Sequence, residues 1–181
     1  GAVGVLTITG INDATKLSDI NDNVSLKVEV SDGTTVALDN ELLGLDSVGS
    51  DELVINGNLK ASATDLAELI GAGVTISGAG SVVIAKYAGQ DISTLTDAGI
   101  KLTLDIDGTD ISLSTAKLGD LTKIVAINVA ASTSVDLTAD IASTLASRFG
   151  GNDFGELKIS GYSSQDLSPI AHDFIVNVTS T

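Results

Sequence analysis

The residues best placed to do chemistry are Asp105, Asp107 and Asp110, in the run Asp105-Ile106-Asp107-Gly108-Thr109-Asp110. Carboxylates spaced around a glycine bend supply oxygen ligands, the chemistry that suits calcium. The run does not continue as an EF-hand loop, because the position that would carry the bidentate glutamate is Ala116. A cation held here would need further oxygens from a neighbouring segment. A second oxygen-rich group lies near the start, where Asp13, Asp19 and Asp22 stand among Asn12, Asn21 and Asn23. At successive corners of the chain these could share a calcium; as turn residues they would make their own Asx hydrogen bonds. Asp39, Glu41, Asp46, Asp51 and Glu52 form a third acidic group of the same kind. The glycine-rich nonapeptide that wraps calcium in a β-roll is not found.

Other chemistries fare less well. His172 is the one histidine and has Asp173 beside it, but sequence neighbours do not orient each other as triad members must, and no Gly-x-Ser-x-Gly elbow accompanies them. Gly-rich stretches such as Ser77-Gly78-Ala79-Gly80 lack the Lys-Ser/Thr of a phosphate loop. The absence of cysteine removes disulfides, zinc thiolates and thiol catalysis. No enzyme is expected. A net charge of −15 with only nine Lys and Arg residues argues against nucleic acid and against an anionic membrane surface. It leaves divalent cations, or plain solubility, as the use of the acidic surface. No apolar run is long enough for membrane insertion. Methionine is absent even at position 1, as expected of a processed or excised chain. Asn23-Val24-Ser25 and Asn177-Val178-Thr179 are glycosylation sequons.

The elements that must position these groups are most legible in residues 100–121, IKLTLDIDGTDISLSTAKLGDL. Ile100, Leu102, Leu104 and Ile106 alternate with polar residues as in a strand with one buried face. Asp107-Gly108 predicts a tight turn, Ile111 and Leu113 a second strand, and Ser114 or Thr115 the cap of a short helix. Looser copies follow along the chain, with turns at Asp32-Gly33 and Asn56-Gly57 and helices expected at 39–48, at 64–70 capped by Thr64 or Asp65, at 91–95 and at 138–149. Unit starts at Val5, Val24, Leu53, Val74, Ile100, Ile124, Phe154 and Phe174 give about seven degenerate units with spacings of roughly 19 to 30 residues, the size of a solenoid coil.

Residues 1–181 therefore read as a single repetitive domain, β-rich with short helices, in which a strand-turn-strand-helix unit stacks as a parallel β-solenoid. The alternative is an α+β domain of antiparallel hairpins, which the Asp-Gly and Asn-Gly turns would favour. Aromatic residues are 3% of the chain, so the apolar mass is Val, Ile, Leu and Ala, which suits flat stacked layers.

Short strands followed by Asp-Leu or Asp-Ile helix starts, here Asp65-Leu66, Asp91-Ile92, Asp120-Leu121, Asp140-Ile141 and Asp166-Leu167, in an acidic, cysteine-free chain rich in Thr, Ser, Ala, Val and Gly, resemble the repetitive regions of bacterial surface-layer proteins and large type I-secreted adhesins. The resemblance implies an extracellular, cell-surface structural role, often calcium-dependent, with no catalytic residues. The expected partners are other copies of the chain or neighbouring domains of a longer one, joined through strand termini near Val5 and Phe174. The alternative is a binding module for glycan or another surface, using Thr7, Thr9, Thr75, Thr103 and Ser112 on strand faces.

Overall fold

The computed structural model describes residues 4–11, 24–38, 45, 51–150, 155–170 and 174–180. Its strands are β1 (Val5–Ile8), β2 (Ser25–Val30), β3 (Thr35–Ala37), β4 (Glu52–Ile55), β5 (Asn58–Ser62), β6 (Thr75–Ser77) and β7 (Ser81–Tyr87) in the first half. They continue as β8 (Lys101–Ile106), β9 (Ile111–Ser112), β10 (Ile124–Val129), β11 (Ser134–Thr138), β12 (Phe149–Gly150), β13 (Glu156–Tyr162) and β14 (Ile175–Ser180). Among the described residues four short α-helices intervene: α1 (Ala63–Gly71), α2 (Ser93–Asp97), α3 (Thr115–Leu118) and α4 (Ala139–Leu145). Among the described residues every strand pair is parallel. The sheets run β1-β2-β4-β6, then β12-β10-β8-β7-β5-β3, then β14-β13-β11-β9.

The hairpins that the turn sequences offered are not formed, and the backbone gives the reason. A two-residue hairpin turn of the favoured kinds needs positive φ at its first central residue, and type I′ at the second as well. At Asp32-Gly33 only Gly33 has it, and at Asn56-Gly57 neither residue does. These segments are corners instead, carrying the chain from one sheet into the next and spending their hydrogen bonds on the adjacent layer. The Asn56 and Gly57 N–H groups both donate to the Val30 carbonyl at 2.9 Å, and the Asn58 N–H donates to the Thr34 carbonyl at 2.8 Å.

Parallel register stacks like on like. In the six-stranded sheet Val36, Leu59, Val82 and Leu102 lie opposite one another in succession, with Ile124 next. All five are buried, as are Ala61, Ile84, Leu104, Ile127 and Phe149 one step along. Burying each such side chain contributes about 1.5 to 3 kcal/mol, so the core is a set of continuous aliphatic ladders. Outward positions stack polar groups: Lys27 pairs with Glu52 at 3.0 Å, and the Ser81 hydroxyl donates to Asn58 Oδ1 at 2.5 Å.

The helices close the gaps between strands. Ser62, rather than Thr64 or Asp65, caps α1: its Oγ accepts from the Asp65 N–H at 3.0 Å while Asp65 Oδ2 accepts from the Ser62 N–H at 3.4 Å. This is a reciprocal capping box, and Leu66 and Leu69 form the buried face. Thr138 caps α4, which ends at Leu145 and tightens into a 3-10 turn, so that Phe149 is released into β12. The helix expected at 39–48 lies outside the described residues except for Leu45, which is buried, and Phe154, His172 and Asp173 lie outside them as well.

Candidate functional site

The aspartates of the first candidate calcium run are placed on different partners. Asp105 faces outward from β8, where its carboxylate accepts from Asn128 Nδ2 at 2.7 Å. Asp107 is exposed just beyond β8. Asp110 takes a left-handed φ of 56°, and its Oδ1 accepts from the Ser134 hydroxyl at 2.8 Å and from Lys158 Nζ at 2.9 Å. Asp13, Asp19 and Asp22 lie outside the described residues. Among the described residues no group of three or more His, Cys, Asp or Glu side chains is arranged to hold a metal.

Of the five recurring Asp-Leu and Asp-Ile pairs, those at Asp65 and Asp140 fall inside α1 and α4, whose caps are Ser62 and Thr138; the other three start turns. Asp91 Oδ1 accepts from the Ser93 N–H at 3.0 Å and the Ser93 hydroxyl at 2.7 Å. Asp120 Oδ1 accepts from the Thr122 N–H at 2.9 Å and hydroxyl at 2.7 Å, and Asp166 Oδ1 from the Ser168 N–H at 2.9 Å. Each carboxylate satisfies an N–H that starts a turn.

Hydrogen bonds from these Ser and Thr residues hold Asp91, Asp120 and Asp166 below the ordinary carboxylate range. Asp110 is lowered first by the Lys158 hydrogen bond and then by Ser134. A carboxylate lowered in the folded state stabilises the fold above its unfolded pKa, and that contribution is lost as pH falls through the folded value. Asp110→Asn is therefore expected to lower the urea midpoint at pH 7 and to lower it less at about pH 3, which is below the ordinary aspartate value. All four groups are solvent-facing, so added salt should shrink the effect. An equal loss for this variant at both pH values would remove the ionic origin.

The sheet edges carry a different feature. β1 ends the first sheet and β14 ends the third. On these two strands Val5 is 66% exposed, Leu6 43%, Ile175 56% and Val178 44%, and Val176 is open as well. Leu6 lies opposite Leu26, Val176 opposite Leu157 and Val178 opposite Ile159, so these three are core-type positions paired on one side among the described residues, whereas Val5 and Ile175 lie opposite Ser25 and Glu156. The strand termini named from the sequence thus coincide with two open apolar edges.

Thr7 and Thr75 lie in the first sheet, Thr103 in the second and Ser112 in the third. They do not form a hydroxyl row: Thr7 and Thr75 are the two ends of one cross-strand row whose middle positions are Lys27 and Glu52, and Thr103 and Ser112 lie in other sheets. What the sequence reading missed is a pair of adjoining clefts on the third sheet, each about 420 Å³, sharing Asp136 and Ser160. Ser112, Ser114 and Thr138 line one, and Glu156, Lys158 and Asn177 the other. The polar alternation of 134–138 and 156–160 was the signal available. Asn177, in the second sequon, hydrogen-bonds to the Glu156 carboxylate.

Among the described residues no helix is long and apolar enough to cross a membrane. Comparison with family models, with curated proteins and with solved structures returns no match.

Proposed function

We propose that this chain is an extracellular structural segment of the surface-layer or adhesin kind, a β-solenoid that associates end to end and catalyses nothing. The observation that carries this reading is the pair of open parallel edges, β1 and β14, with core-type apolar side chains left uncovered at both. Exposed edge strands are templates for further pairing. A heterologous contact of one end with the other propagates without closing, as a lattice or fibre requires. The parallel ladders favour a stacked solenoid, because each layer then buries its neighbour. Calcium would be a bridge between copies at the acidic turns, with Asp105, Asp107, Asp110, Asp13, Asp19 and Asp22 as its candidate ligands.

The alternative, a glycan-binding module of a longer secreted protein, is favoured by the two hydroxyl- and carboxylate-lined clefts on the third sheet.

Light scattering in calcium and then in chelator tests the assembly. Mass is expected to rise with protein concentration in both, more steeply in calcium, and Val5→Lys with Ile175→Lys is expected to abolish the rise. Dispersal by chelator alone would assign the joint to the acidic turns. A monomer in every condition would overturn self-association and favour the binding module.

A further inference from the structure

We infer that the strand-by-strand layout follows a larger period of about 75 residues, and that the open edges at β1 and β14 are seats for strands of further copies of that same period. The inference deepens the scaffold reading and rests on it only for the biological role of the edges.

Three segments carry the sequence signal: Gly4 to Ile11 reads GVLTITGI, Gly80 to Tyr87 reads GSVVIAKY, and Gly155 to Tyr162 reads GELKISGY. In each, the seventh residue has left-handed φ, 68° at Gly10, 53° at Lys86 and 71° at Gly161. The likeness extends downstream. Tyr87-Ala88-Gly89-Gln90-Asp91-Ile92-Ser93 matches Tyr162-Ser163-Ser164-Gln165-Asp166-Leu167-Ser168, and the hydrogen bonds match with it. The Ala88 N–H donates to Gln90 Oε1 at 2.8 Å and the Ser163 N–H to Gln165 Oε1 at 2.9 Å. The Leu95 N–H donates to the Ile92 carbonyl at 3.1 Å, and the Ile170 N–H to the Leu167 carbonyl at 3.1 Å. Earlier in the period, the Leu38 N–H donates to the Lys60 carbonyl at 2.8 Å and the Leu113 N–H to the Asp136 carbonyl at 2.9 Å. Ser62 and Thr138 cap the equivalent helices α1 and α4.

On this period β1 to β6 correspond in order to β7 to β12, and β13 and β14 begin a third copy. Each copy is displaced by one sheet. β1, β2, β4 and β6 lie in the first sheet, while β7, β8, β10 and β12 lie in the second; β3 and β5 lie in the second, while β9 and β11 lie in the third. A complete sheet is therefore two strands of one copy followed by four of the next, which is the composition of the six-stranded sheet. Among the described residues the first sheet has no strands at the two places that would precede β1, and the third has none at the two that would follow β14, the counterparts of β10 and β12.

Burial agrees with this assignment. The outermost strands of the complete sheet bury Val36 and Phe149, whereas the exposed apolar groups of β1 and β14 lie where a strand is missing. Tyr87 is fully buried and its counterpart Tyr162 is 36% exposed. The occupant of the β14 edge is thus a strand of the β4 and β10 class, setting its apolar residues on Val176 and Val178 as Ile124 and Ile127 sit on Leu102 and Leu104. A second copy of the present chain already uses its own β4 and β10 within its sheets, so the fitting occupant is an added copy of the period.

The test appends a copy of residues 107–154 after residue 181 of the full chain and compares it with a scrambled extension of equal composition. The chain has two tyrosines and no tryptophan, and the extension contains neither, so iodide quenching of tyrosine emission reports Tyr162 against the buried Tyr87. The repeat extension is expected to slow exchange of the β14 amides by more than about tenfold and to protect Tyr162 from iodide; the scrambled one should do neither. An extension copied from residues 32–79 should act like the first, which guards against one segment failing to fold. Exchange and quenching unchanged by both repeat extensions would overturn the inference while leaving end-to-end association to be decided by light scattering. Protection without any change of mass in the unextended chain would keep the period and sink self-assembly.

Discussion

Gly80→Ala is expected to destabilise the fold by about 3 kcal/mol or more, near the upper end for a single substitution. Gly80 sits at the corner between β6 and β7, where its N–H donates to the Ile55 carbonyl at 2.7 Å. A Cβ there would stand 2.1 Å from the Gly57 carbonyl oxygen and 2.8 Å from that of Ile55. Both obstacles are backbone, already fixed by hydrogen bonds to the adjacent layer, so neither can rotate aside, and relief requires parting two layers of the ladder. Gly57 is in the same position on the preceding strand pair, where a Cβ would stand 2.2 Å from the Ser31 carbonyl oxygen. The control is Gly71→Ala at the end of α1, where a Cβ meets nothing within 4 Å. Alanine's better helix propensity there should make that change neutral or stabilising by up to about 1 kcal/mol. Urea unfolding of the two variants measures the difference. A Gly80→Ala cost no larger than that of Gly71→Ala would mean that the corners are not in backbone contact.

The strands could be read from the chain because inward and outward positions alternate: Leu102, Leu104 and Ile106 announce β8 with no knowledge of its neighbours. The turns at Asp91 and Asp120 were legible for a similar reason, since these carboxylates bind N–H groups two residues away, whereas the start of α1 lies earlier than Thr64 or Asp65, at Ser62. Which sheet each strand enters was not legible. Asn56-Gly57 can open a hairpin or turn a corner, and the choice rests on φ values that the adjacent layers impose. The acidic run shows the same limit. Asp105 and Asp110 suggest a cation by their spacing, yet their partners Asn128, Ser134 and Lys158 are 23, 24 and 48 residues away. A parallel stack brings together groups one or two layers apart, so one segment alone cannot name the groups that will satisfy its side chains.

Leu102→Ala carries the second large expected loss, about 3 kcal/mol within the usual 2 to 5 for a buried leucine truncated in a core. Leu102 is fully buried at the centre of the six-stranded sheet, between Val82 on one side and Ile124 on the other. Removing its side chain leaves a void that both neighbouring layers line, and collapse to fill it would break the register of two pairings at once. The urea midpoint should fall while the slope stays constant, since the surface exposed on unfolding hardly changes. Val176 occupies the equivalent inward position on β14 but has only Leu157 as a facing layer. Its truncation to alanine should cost only about 1 kcal/mol in dilute protein, because the side chain is smaller than leucine and is still 39% exposed. The contrast between the two variants is itself a reading of the open edge. Should the cost of Val176→Ala climb toward that of Leu102→Ala as protein concentration rises, the missing layer is being supplied by another molecule, and the edge is an interface. A cost that stays small at every concentration means that β14 remains uncovered until a strand of matching pattern is provided.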